Sequence, residues 1–209
     1  MVPTSLLRQS VEVVAALPLF AATPLLRPWH SRWGATASEV ASTMPGDELF
    51  PRAQFQATRA ITIAAPPSAV WPWLVQVGYG RAGFYSYDLL DSLGRPSAEG
   101  IVPELQAVRV GDWVPMSATI NETTAFKVET VDPCSRLLWS KPDSTWSWRL
   151  DPAGERTRLV TRLRVVYDWH RPGAALLSIF LIEFGDFAMM RRMLKGIRRR
   201  AQDRTAHPA

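Results

Sequence analysis

The sequence is poor in the residues that build metal centres and disulfides. It holds one cysteine, Cys134, and three histidines, His30, His170 and His207. A lone cysteine closes no internal disulfide and supplies no multi-thiolate zinc or iron–sulfur centre. The histidines stand at no ligand spacing from one another, so neither a metal nor a cofactor is expected. Membrane-spanning length is missing from the apolar N-terminal run. Val13 to Leu26 carries no charge over 14 residues, but Pro18 and Pro24 interrupt it, and a spanning helix needs about 20 apolar residues. As a secretion signal it has a thin basic start, Arg8 and the amino terminus, and no small-x-small cleavage site follows.

A spread of positive charge is also lacking, despite a net charge of +5. Seven bases and one acid, Asp203, fall between Arg191 and Arg204, and the rest of the chain nets −1. A nucleic-acid partner is therefore not expected, because such a surface needs basic residues across a face. The terminal run reads as a solvated helix end, where bases oppose the negative pole of the helix dipole. What is present is globular material: 209 residues, 47% hydrophobic and 21% charged, enough for one domain with a core.

No repeat or low-complexity tract appears, and the elements follow from local pattern. Residues 28 to 56 are rich in turn formers and read as an irregular lead-in behind the apolar arm, giving an N-terminal region of residues 1–57. Arg59 to Ala64 alternates with β-branched residues and reads as a strand. Val70, Trp71, Leu74 and Val77 fall at helical spacing within Ser68 to Val77, and a second short helix is expected over Phe84 to Leu93. The glycines of Gly78-Tyr79-Gly80-Arg81-Ala82-Gly83 match a dinucleotide spacing, but a helix precedes them where that motif needs a strand, so they read as a tight turn. Five strands follow: Trp113 to Met116, Ala125 to Val131, Leu137 to Ser140, Thr145 to Leu150 and Arg158 to Trp169. Short Asp-Pro and Lys-Pro-Asp connections make them an antiparallel meander. Leu159, Thr161, Leu163, Val165 and Tyr167 share one face with Trp146, Trp148 and Leu150 across the hairpin, whereas Arg162 and Arg164 point away. Ala174 to about Ala201 repeats Phe180, Phe184, Phe187, Met190, Leu194 and Ile197 at three and four residues, an amphipathic helix to cover that face. Gly185 and Gly196 within it point to a bend or a close approach.

This order of elements resembles the SRPBCC, or START-like, helix-grip superfamily. Ile61-Thr62-Ile63-Ala64-Ala65-Pro66-Pro67-Ser68-Ala69-Val70-Trp71-Pro72-Trp73-Leu74-Val75-Gln76 is similar to the opening motif of its bacterial members. Gly80-Arg81-Ala82-Gly83-Phe84-Tyr85-Ser86-Tyr87-Asp88, Ile101 to Gln106 and Gly111-Asp112 resemble one bacterial subgroup. The resemblance implies an α+β helix-grip domain over residues 58–203, an antiparallel sheet wrapped around a long C-terminal helix with two short helices, and a tail at 204–209. It also implies a cavity for an apolar or amphipathic molecule, as in lipid carriers, hormone receptors and polyketide cyclases or dehydrases.

On that implied cavity, Arg81, Phe84, Tyr85, Tyr87, Trp113, Trp146, Trp148, Leu163, Tyr167, Phe180, Phe184 and Phe187 are the expected ligand contacts. Asp88 as base and Tyr85 as donor form the one local pair able to serve a cyclase or dehydrase. The same residues also read as structure, with Asp88 paired to Arg81 or capping backbone and the tyrosines as core rings. Glu104, Cys134 and His170 are weaker candidates. Three functions are carried forward: a non-catalytic binder of a small hydrophobic molecule, a cyclase or dehydrase, and a peripheral membrane or protein-interaction module. Residues 13–26 and the bases at 191–204 suggest contact with an anionic membrane for an otherwise cytoplasmic protein.

Overall fold

Period-two alternation and turn chemistry produce six strands: β1 Phe55–Ile63, β2 Trp113–Pro115, β3 Ala125–Asp132, β4 Arg136–Lys141, β5 Ser144–Ala153 and β6 Arg156–Val165. They form one sheet in the order β1-β6-β5-β4-β3-β2, every neighbouring pair antiparallel. The computed structural model describes residues 4–170 and 172–206, without the side chains at 4, 5, 19, 20, 22–24, 174, 183, 184, 205 and 206. The helices are α1 Thr4–Ala22, α2 Arg27–His30, α3 Ala37–Ala41, α4 Pro67–Val75, α5 Asp88–Asp91, α6 Pro172–Phe180 and α7 Phe187–Ala206. A π-helical segment, Leu181–Asp186, joins α6 to α7.

The register puts Trp146 opposite Leu163, Trp148 opposite Thr161 and Leu150 opposite Leu159, as the alternation requires. α7 lies along this inner face, and its buried Met190, Met193, Leu194, Ile197 and Ala201 join one core with Val70, Trp73 and Leu74 of α4 and with the sheet tryptophans. An antiparallel sheet gripping a long C-terminal helix is an α+β helix-grip fold, established by this chain's own topology.

The outer face departs from expectation. Arg162 and Arg164 point away from the apolar inner face, as their alternation predicts, yet Arg162 is 2% exposed. The lead-in covers it. Arg162 donates to Asp47 Oδ2 at 2.5 Å, Thr58 Oγ1 at 2.9 Å and the carbonyls of Glu39, Val40 and Ser42 at 3.1, 2.9 and 2.9 Å. The lead-in is accordingly built and not irregular: Thr36 and Glu39 form a capping box on α3, and Arg158 Nε donates to Glu39 Oε1 at 2.7 Å.

The apolar arm is helical and amphipathic in its surroundings. One side of α1 packs Val13 and Ala16 against Tyr87, Ala188 and Met189, with Arg192 Nη2 2.5 Å from Glu12 Oε2. The other side leaves Leu7, Val11, Val14 and Leu17 exposed.

Two helix expectations are corrected. The helix predicted over Phe84 to Leu93 shrinks to α5, since Tyr85 sits at φ 56 in the left-handed region, which no helix can continue through. The last helix is interrupted by the π-helical segment that contains Gly185. Gly196 marks a close approach: a Cβ there would lie 2.5 Å from the Tyr85 carbonyl oxygen.

Candidate ligand-binding cavity

Between the inner face of the sheet and the C-terminal helices lies a cavity of about 410 Å³, within the range of about 300–1,000 Å³ usual for small-molecule sites. Phe126 of β3, Trp146 of β5 and Leu163 and Val165 of β6 form the sheet wall. Met189, Met190 and Met193 of α7, with Leu181 and Ile182 before it, form the helix wall. Phe84, Leu90 and Asp91 close one side, and Lys141, Asp143 and Ser144 of the β4–β5 turn stand on another. The Trp146 indole is fixed by donating to Thr161 Oγ1 at 2.9 Å, and its ring meets Phe126, Trp139 and Trp148. Leu181 is 56% exposed although it lines the cavity, which locates the mouth beside α6.

Of the expected ligand contacts, Phe84, Trp146 and Leu163 line this cavity. Trp148 does not, being fully buried beneath Trp146 among Trp139 and the core. Phe187 faces away: its ring stacks on His30 and meets Trp29 and Trp33, with the Arg59 guanidinium over it at 5.5 Å. Helical periodicity gives a face its apolar character, but not the partner it meets. Arg59 also binds the His30 carbonyl at 2.9 Å and Asp186 Oδ2 at 2.6 Å. Burial, with Arg59 beside it, lowers the His30 pKa to about 4. Tyr167 packs with Phe55, Ala57, Val165 and Ala175 in a separate cluster at the sheet edge. Trp113 is partly exposed under Lys127, Phe180 is exposed on α6, and Phe184 lies outside the described side chains.

Tyr85, Tyr87, Asp88 and Arg81 are also off the cavity. The Tyr85 hydroxyl accepts from Gln76 Nε2 at 2.8 Å and donates to the Trp73 carbonyl at 3.1 Å, so its one proton is committed. Burial pushes its pKa up to about 12. Fully buried Gln76 extends the staple: Nε2 also donates to the Gly100 carbonyl, and Oε1 accepts from Val102 N and Gln106 Nε2. Asp88 Oδ1 accepts from Ser97 Oγ at 2.5 Å, a partner in place of the anticipated Arg81. Arg81 donates to the Val75 carbonyl at 2.9 Å inside a turn closed by Gly78 N to Gly83 O at 3.2 Å. Tyr87 packs under Arg192, whose guanidinium lies 4.5 Å from its ring centroid.

Tyr85 and Asp88 instead border a polar cleft of about 480 Å³ between α1 and α7, with Arg8, Arg192, Lys195, Arg199 and Arg200. Part of the basic run is thus structural. Arg200 sits over the Tyr85 ring at 4.6 Å, donates to the Ala98 carbonyl at 2.9 Å and pairs with Glu99 at 2.8 Å.

Asp91 is one of the cavity residues that sequence reasoning missed. It stands one turn after Asp88, and that spacing was the available signal. Its Oδ2 is buried with no hydrogen-bond partner among the described residues. Burial raises its pKa to about 7, the Asp88 carboxylate adding to this while hydrogen bonds from Ser86 and the Tyr87 backbone, and the charge of Arg192, oppose it. The cavity methionines were also missed, since a methionine at helical spacing is indistinguishable in sequence from core.

No protein-family model and no curated protein matches the chain. Three solved structures are similar to this chain over about three quarters of its length. The polyketide cyclase-like protein Cgl2372 from Corynebacterium glutamicum is 17% identical, over 73% of this chain and 94% of that one, with a TM-score of 0.47. Protein NE0264 from Nitrosomonas europaea is 15% identical over 73% and 97%, with a TM-score of 0.44. The di-domain ARO/CYC StfQ from the steffimycin biosynthetic pathway is 11% identical over 77% and 55%, with a TM-score of 0.48. Likeness at this level assigns no role, and what the cavity can do follows from its own chemistry.

Proposed function

We propose that the protein binds a small hydrophobic or amphipathic molecule, of lipid or polyketide-like character, in the cavity between sheet and C-terminal helix. The observation that carries this reading is an apolar space of about 410 Å³ walled by aromatic and methionine side chains. Methionine adapts its shape to a ligand at little cost, and aromatic walls bury large apolar area. A binder is favoured over a cyclase or dehydrase because the Tyr85 hydroxyl and the Asp88 carboxylate both serve as structural bonds outside the cavity. Native mass spectrometry of the purified protein, followed by extraction, tests the reading. A stoichiometric small apolar molecule, lost on denaturation, is expected; an empty protein that also takes up no apolar probe refutes it.

A second reading, peripheral contact of this otherwise cytoplasmic protein with an anionic membrane, is favoured by a specific observation. Exposed Leu176, Leu177, Phe180 and Leu181 gather beside the cavity mouth, and α1 adds the exposed face of Leu7, Val11, Val14 and Leu17. No helix among the described residues is long and apolar enough to cross a membrane, so such contact would be interfacial. Flotation with anionic liposomes at low salt is the expected result, and failure to float with anionic and neutral liposomes alike rejects it.

A further inference from the structure

The carboxylates of the cavity wall are unequally matched. Asp143 Oδ1 lies 2.6 Å from Lys141 Nζ, and Asp186 Oδ2 lies 2.6 Å from Arg59 Nη1. Asp91 lines the same cavity with no base at ion-pair distance among the described residues, and its Oδ2 meets no hydrogen-bond donor there. The nearby cation, Arg192 on α7, is spent elsewhere, on the Ser86 carbonyl at 2.9 Å and Glu12 Oε2 at 2.5 Å. The hydrogen bonds that reach Asp91 are neutral ones, from Ser86 and the Tyr87 backbone, and the Ser86 hydroxyl is shared with the Met189 carbonyl at 3.0 Å. Asp88, on the same short helix, is a like charge. Among the described residues the lining therefore holds three acids, Asp91, Asp143 and Asp186, against one base, Lys141. One aromatic ring of the wall already holds a cation, the Lys141 ammonium over Phe126 at 5.7 Å from its centroid.

We propose that the cavity selects an apolar molecule carrying a protonated amine, whose ammonium group pairs with the Asp91 carboxylate. The inference rests on the binding role proposed for the cavity and names the chemical class of its ligand. An ionised carboxylate held out of water without a counter-ion is costly, and an incoming ammonium removes that cost while its hydrocarbon tail fills the remaining space. An alcohol supplies a donor but no charge. A carboxylate ligand brings a second negative charge and is disfavoured.

The pH dependence has a fixed sign. Ion pairing needs Asp91 ionised, so amine affinity is at full strength above about pH 7 and falls as pH is lowered through that value. An alkylamine keeps its proton throughout this window, as lysine does with a pKa of about 10.4.

The test is calorimetric titration of the full chain with n-decylamine, n-decanol and n-decanoate at pH 8 and pH 5.5, in the wild type and in Asp91→Asn. At pH 8 the wild type is expected to bind the amine roughly tenfold or more tightly than the alcohol, with the acid weakest. That gap should close at pH 5.5 and in Asp91→Asn, which should still bind the alcohol. Alcohol binding with no preference for the amine at pH 8 overturns the inference and leaves the cavity's binding role standing. Failure of all three probes overturns both. If Asp91→Asn loses the alcohol too, the wild-type profile decides: an amine-to-alcohol ratio constant from pH 5.5 to pH 8 overturns the inference.

Discussion

Replacing Asp91 by Asn should stabilise the ligand-free protein, and only at neutral and alkaline pH. In the unfolded chain the carboxyl titrates near its ordinary value of 3.8, whereas in the folded chain burial holds it near 7. The folded state therefore binds the proton more tightly, and stability falls as pH rises from about 4 to about 7, staying low above that. At 1.36 kcal/mol for each tenfold step in proton affinity, the full penalty is about 4 kcal/mol. Water entering the cavity reduces it, so about 2–4 kcal/mol is expected. Asn has the shape of the protonated acid and shares its unmet hydrogen bonds, so the substitution isolates the charge. Urea unfolding of both proteins at pH 4 and pH 8 is the assay. The midpoints should nearly coincide at pH 4, with the variant clearly more stable at pH 8. A variant equal to or weaker than the wild type at pH 8 would refute the claim that Asp91 is a buried carboxylate without a counter-ion.

Other consequences follow from the same contacts. Arg162→Met should cost about 3 kcal/mol, because three backbone carbonyls and Thr58 lose their donor; a urea midpoint implying less than about 1 kcal/mol would show that the lead-in does not depend on it. Gly196→Ala should destabilise by about 2 kcal/mol through its clash with Tyr85, despite the gain of about 1 kcal/mol that alanine brings to an open helix. A thermal melt at or above wild type would contradict the close approach. Tyr85→Phe leaves the Trp73 carbonyl without its donor and should lower stability by about 1–3 kcal/mol with no change in cavity affinity. A changed affinity in titration would tie the Gln76 staple to the ligand.

The fold was legible because its signals are local. Alternation in Arg156–Val165, turn chemistry at Pro142-Asp143, and the three-and-four spacing of Met190, Leu194 and Ile197 each specify an element without reference to the rest of the chain. What covers a face is not local. Arg162 alternates like a solvent-facing residue, and only the arrival of Glu39, Val40, Ser42 and Asp47 from more than 100 residues away makes it buried. The site was legible only in part for the same reason. Phe84, Trp146 and Leu163 follow from strand and motif position, but Phe187 turns to His30, and the left-handed Tyr85 swings its hydroxyl into the Gln76 staple. Asp88 and Asp91 differ in sequence by one helical turn, and the fold divides them between a polar cleft and an apolar cavity.

The claim on which everything else depends is that an apolar ligand enters between the sheet and α7. Trp146 reports on that space directly, because its indole lines the cavity and its N–H has a defined acceptor in Thr161. With indole resonances assigned by single Trp→Phe variants, ¹⁵N-labelled protein titrated with n-decanol should move the Trp146 signal saturably. The indoles of Trp29, Trp113 and Trp169, exposed outside the cavity, should stay in place. Saturable binding that shifts those outer indoles and leaves Trp146 unmoved would contradict the account.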